Sequence, residues 1–227
     1  GGATSGGAAN GGATSGGAAS GGAANGGAAN GGAANGGAAN GGVDGGGGKT
    51  AAQGGALGSG GTTQTKCGLV INEIQVGSSV SPADEFVELY NSCAVAQALN
   101  GYELVYRAAS GTSDVLLHTF SSSDVIAGKG FLLLAGASFA GTSDMSLGGG
   151  VNGVLALQAG GLALRTANAV IIDALGYGNA TNAFVEGAPA LAPTLGTSIS
   201  RVPDGRDMND NWQDFSATTS TPRGANH

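Results

Sequence analysis

Eight consecutive five-residue units fill the chain from Gly1 to Asn40, reading GGATS, GGAAN, GGATS, GGAAS and then GGAAN four times. None carries a charge, an aromatic ring or a branched apolar side chain, so one copy of this segment has nothing from which to build a core. Ordering a backbone residue costs roughly 1–2 kcal/mol, and a flexible spacer is therefore the default reading. Two features oppose it. The pentads are more regular than a spacer needs, and glycine lets backbones approach where larger residues hold them apart. A five-residue period fits neither the strand nor the polyproline II helix, so an isolated chain cannot segregate a face. A pentapeptide β-helix wants a bulky inward residue, where GGAAN has only Ala. Order would come from neighbouring chains that pair backbone groups, with Asn, Ser and Thr adding ladders. The expected self-association positions are Gly21, Gly22, Asn25, Gly26, Gly27, Asn30, Gly31, Gly32 and Asn35.

Composition changes sharply after this segment. Up to Gly61 the chain is almost entirely Gly, Ala, Ser, Thr and Asn, with Asp44 and Lys49 as its charges; from Lys66 onward it is rich in Val, Ile and Leu. The expected organisation is a pentapeptide repeat over 1–43, a glycine-rich linker over 44–66 and a folded domain over 67–227. A domain of about 160 residues can bury roughly two-thirds of its unfolded surface.

Within that domain the apolar pattern has the period of strands. The runs LVINEI, EFVELYN, YELVYR, VLLHTF, FLLLAG, GVLALQ, LALRT, AVIIDAL and SISRV are separated by Gly, Asn, Ser and Asp clusters, and no helical stripe persists for twelve residues. The expected class is all-β, a sandwich. In EFVELY, Phe86, Glu88 and Tyr90 face one way and Val87 and Leu89 the other, but Glu85 shares the face of Val87 and Leu89. Asn91 is placed to turn the chain, Asn100-Gly101 to form a turn with positive φ, and Pro203-Asp204-Gly205 a further one.

The runs LVINEIQVGSSVSPADEFVELYN, LNGYELVYR, GKGFLLLAG, LALRTANAVIIDALGYG and SISRVPDGRDMNDNWQDFSATTSTPRGAN follow in family order, and together resemble the lamin tail domain family in the form found in exported bacterial proteins. The resemblance covers residues from about Leu69 to Asn226. It implies an immunoglobulin-like β-sandwich, a scaffold and interaction module rather than an enzyme, with no catalytic residues to carry over.

Candidate chemistry is sparse. Cys67 and Cys93 flank the first two predicted strands and are read as a structural disulfide, with two buried thiols as the alternative; zinc spacing is missing. Asp207, Asn209 and Asn211 occupy the first, third and fifth positions of an EF-hand-like loop, but Trp212 stands where the glycine belongs and Thr218 where the bidentate Glu belongs. The favoured reading is an Asx-rich loop anchored by buried Trp212 and Phe215, with a weak cation site as the alternative. His118 is read as a strand position, and Asp84, Glu85 and Glu88 as a solvated edge rather than an acid/base pair. Asn179-Ala180-Thr181 matches a glycosylation acceptor by chance. Catalytic, metal and cofactor sites are therefore expected to be none. Tyr102, Tyr106 and Tyr177 are candidates for an exposed contact surface, core packing being the more frequent fate of such residues.

The net charge of −7, with nearly all carboxylates beyond residue 66, argues against nucleic acid as a partner. No apolar run is long enough to span a bilayer as a helix. Together these readings predict a non-enzymatic extracellular or cell-surface protein whose export signal has been removed. It assembles through its repeats as a homo-oligomer or polymer, with the sandwich decorating the outside. The alternative is a binding or adhesion module held off the envelope by a flexible spacer.

Overall fold

The computed structural model describes residues 67–148 and 153–227. The repeat and its proposed self-association residues lie outside the described residues.

Among the described residues, twelve strands and one helical turn follow in order: β1 (Leu69–Val76), β2 (Glu85–Asn91), β3 (Gln97–Ala98), β4 (Tyr102–Ala108), β5 (Val115–Thr119), β6 (Val125–Ile126), β7 (Phe131–Ala135), β8 (Met145–Ser146), β9 (Ala159–Thr166), β10 (Ile171–Gly178), β11 (Ser198–Arg201), α1 (Asn211–Asp214) and β12 (Phe215–Thr218). One sheet has the order β12-β11-β1-β2-β7-β8, a second the order β10-β9-β4-β5, and β3 pairs with β6. All pairings are antiparallel except β7 with β8. The result is an immunoglobulin-like sandwich.

The core forms where inward residues of the two sheets meet: Ile71, Ile74, Val87, Leu89, Leu132 and Leu134 from the first, Leu104, Tyr106, Leu162, Leu164, Leu175 and Tyr177 from the second. Ile71 and Ile74 are three apart, which strict alternation would place on opposite faces. The register shifts between Ile71 and Glu73, and the extra residue turns both isoleucines inward while Asn72 and Glu73 face out. β2 keeps Val87 and Leu89 inward; Phe86 instead joins Leu133, Ala135 and Phe139 in a cluster on the outer face. All seven β2 residues are buried, because both faces of this central strand are covered.

Turn chemistry follows the expected residues. Gly101 takes φ +78°, and the Tyr102 amide closes the turn on the Leu99 carbonyl at 2.9 Å. The Asn91 side chain accepts from the Cys93 amide at 3.0 Å and donates to the carbonyls of Val95, Ile126 and Ala127. Gly205 takes φ +72° in the Pro203–Arg206 turn.

Cys67 and Cys93 are bonded, with Cα atoms 4.8 Å apart and a sequence separation of 26. The bond ties the entry of β1 to the exit of β2, beside the Ser92 amide that donates to the Gly68 carbonyl at 2.8 Å. Replacing both cysteines by serine is expected to lower unfolding stability by about 3 kcal/mol, read from chemical denaturation.

Three expectations need correction. GVLALQ is a loop rather than a strand, since its amides bond a carboxylate instead of a neighbouring strand. Residues 215–218, read as part of a loop, form the edge strand β12. Tyr106 and Tyr177 are buried rather than exposed, Tyr177 donating its hydroxyl to the Ala156 carbonyl at 2.7 Å; Tyr102 is half-buried.

Candidate functional site

Arg201 ends β11 with a side chain fully removed from solvent, and the surrounding sequence is built to receive it. Its Nε donates to the Ile71 carbonyl at 2.9 Å, and its terminal nitrogens meet Asp173 at 2.9 Å and Asp214 at 3.1 Å. The guanidinium also lies 4.6 Å from the centre of the Phe215 ring. Asp173, on β10, accepts the Ile71 amide at 2.6 Å with its other oxygen. The ion pair thus supplies both backbone partners of Ile71, just beyond the Glu73–Gln75 stretch that pairs with β11. It does the work of a missing strand and joins the two sheets.

Asp214, in α1, accepts the Met208 amide on both oxygens at 2.9 and 3.0 Å and so closes the 207–214 loop. Asn211 is buried; its Oδ1 accepts the amides of Gly176 at 2.8 Å and Glu186 at 2.9 Å, and its Nδ2 donates to the Ala174 carbonyl. The EF-hand-like triplet therefore does not converge. Asp207 accepts the Asn209 amide at 3.1 Å, and Asn211 points to β10. What converges instead is Asp173, Glu186 and Asp207, which bring one oxygen each within 4.8 Å of one another.

Burial pushes Asp173 up to about 6 against the pull of Arg201, and burial together with Asp173 and Asp207 pushes Glu186 up to about 8. Burial alone would lower the Arg201 pKa, but Asp173, Asp207, Asp214 and Glu186 together raise it. The guanidinium is thus the cation that these carboxylates surround. Addition of EDTA or millimolar calcium is accordingly expected to leave the melting temperature unchanged, as differential scanning fluorimetry would register.

A second acidic cluster lies on the outer face of the larger sheet, beneath the C-terminal residues. Glu73 accepts the Thr221 amide at 2.9 Å, Glu88 accepts the Arg223 amide, and Asp204 accepts the Asn226 amide at 3.1 Å. Asn226 in turn donates to the carbonyls of Asn72 and Arg201. Burial raises Glu73 and pushes Glu88 up to about 8, the hydrogen bonds only partly opposing it. Glu85 accepts the amides of Val154 at 2.8 Å and Leu155 at 2.9 Å. The expectation of a solvated edge at Glu85 and Glu88 is corrected: both are fully buried.

These contacts define what the arrangement can do. The buried carboxylates bind the chain's own amides, and every fully buried side-chain nitrogen and oxygen among the described residues has a partner. His118 lies on β5, its Nδ1 3.3 Å from the Ser146 carbonyl and its ring against Phe120. Trp212, expected to be buried, is 56% exposed, while Phe215 beside it is buried. Sequence reading missed Asp173, Glu186 and Arg201 because they lie on separate strands and loops; Asp173 inside the apolar run VIIDAL was the available signal.

A comparison with curated proteins finds no match. A family model described as Lamin Tail Domain matches residues 62–179, just over half of the chain, while β11, α1 and β12 complete the same sandwich beyond that span. The chain belongs to the lamin tail domain family.

Proposed function

We infer that this protein is a non-enzymatic structural subunit that assembles outside the cell. Repeats from separate chains pack together as the axis of a filament or matrix, and the sandwiches decorate its surface. The reading is carried by the eight uncharged pentads: they provide backbone groups and small side chains in regular order, but no core for a single chain. The sandwich supports it from the other side. Its family is structural, and its buried acids are occupied with holding its own backbone. The Cys67–Cys93 bond suits an oxidising location reached by export.

Deletion of residues 1–43 tests the reading by negative-stain imaging. The full chain should form filaments or sheets, and the shortened chain should form none while its sandwich melts at the same temperature as in the dispersed full chain. Filaments that persist without the repeat, or a full chain that stays monomeric at high concentration, would contradict it.

A further inference from the structure

We propose that the free edge of β12 accepts an added strand from the glycine-rich N-terminal segment of a second copy of this chain, with Leu57 of that copy seated beside Trp212. This rests on the assembly reading above and adds to it a way of ordering the sandwiches along the repeat axis.

Among the described residues, β12 pairs with β11 alone. Its sequence, FSAT, contains none of the lysines, prolines or bulges that ordinarily blunt an edge. The other outer strands are short or met by neighbouring backbone. β8 has two residues, β10 is met by Ala190 through its bonds with Gly176 and Gly178, and β5 gives its Leu117 carbonyl to the Gly148 amide.

Beside β12 lies a cleft of about 260 Å³ lined by Leu191, Trp212, Phe215, Ser216 and Ala217. Leu191 and Trp212 are 53% and 56% exposed. Ala217 shares the core-facing side of β12 with buried Phe215, so a strand added at this edge would turn alternate side chains toward the cleft. The lining is uncharged and has room for one large apolar side chain.

The occupant is indicated by the N-terminal chain that lies outside the described residues, the 66 residues that lead into Cys67. From residue 44 to residue 66 its single large apolar side chain is Leu57, set in GGALGSGG. One bulky residue between small, uncharged ones is what an edge with a single cleft accepts. The glycines let main chain approach main chain, and Leu57 supplies the side-chain anchor.

Trp212 is the chain's one tryptophan, so its emission and its quenching by acrylamide report on the cleft directly in the full chain. In the unaltered protein, raising the concentration should shift the emission to the blue and reduce quenching. Leu57→Ser and, independently, Ala217→Lys should abolish this shielding, while Val43→Ser should leave it intact. Leu57 lies outside the sandwich, so its variant decides the matter even if Ala217→Lys fails to fold.

Equal access to Trp212 in the parent and in Leu57→Ser would overturn the proposal. So would shielding that is independent of concentration, which would mean that each chain covers its own cleft. Deletion of 1–43 separates the two readings. Shielding that remains when filaments are lost supports both; filaments of the unaltered chain in which Trp212 is no better shielded than in the dispersed chain reject the docking and leave the repeat-driven assembly standing.

Discussion

Replacing Arg201 by methionine is expected to lower unfolding stability by about 3–5 kcal/mol, the range for removing one partner of a buried ion pair. For a domain of this size the melting temperature should fall by roughly 10 °C. The loss has three sources. Asp173 and Asp214 would lose their countercharge at 0–1% side-chain exposure, the Ile71 carbonyl would lose its donor, and the contact with the Phe215 ring would be weakened. Lysine at this position should not restore stability. A single ammonium cannot reach Ile71, Asp173 and Asp214 with the fork that guanidinium offers. Adding Asp173→Asn to Arg201→Met should recover part of the loss by removing one uncompensated charge, so the double change should cost less than the sum of the two single ones. Chemical denaturation of the four proteins gives the cycle.

The second large effect is on pH. Glu88 and Glu186 have folded pKa values of about 8 against an ordinary 4.5, and Asp173 about 6 against 3.8. Burial also raises Glu73 and Glu85. A raised carboxyl binds its proton more tightly in the folded chain than in the unfolded one. Its stabilising contribution is therefore complete below the unfolded pKa and is lost as pH rises through the folded pKa. Stability should fall between about pH 5.5 and about pH 8.5, by about 2 kcal/mol or more, since each tenfold difference in proton affinity between the two states is worth about 1.4 kcal/mol. Asp114 has the opposite sign: burial would raise its pKa, but Arg107 and Arg165 together lower it, so its contribution is lost only at strongly acidic pH, below this window. Melting temperatures measured across the window should decline, and Glu88→Gln should flatten the decline. A rise in stability toward the alkaline end would show that these acids are charged and compensated at neutral pH.

Local rules made the sandwich legible, because alternation, turn residues and the cysteine pair act over a few positions. Alternation put Val87 and Leu89 together on one face of β2, although Glu85 on that face left open which side was the core, and Asn91, Asn100-Gly101 and Pro203-Asp204-Gly205 marked their turns. The polar interior was not legible in the same way. Glu85 looks like a surface residue until Val154 and Leu155, 69 and 70 positions away, bring their amides to it, and the Glu88 partner Arg223 is 135 positions away. Trp212 is the converse case. Size and apolarity placed it inside, but α1 is a single turn whose buried side is taken by Asn211 and Asp214, which leaves the indole outward. β12 was hidden in a polar stretch because four residues of an edge strand carry too few alternations to register.

Amide hydrogen exchange of the assembled full-length material, resolved to the repeat, tests most directly whether the pentads build the assembly. The account predicts that amides of residues 1–43 exchange far more slowly in the assembled material than in the dispersed chain, because neighbouring backbones hold them. Exchange of those amides at random-coil rates within the intact assembly would contradict it.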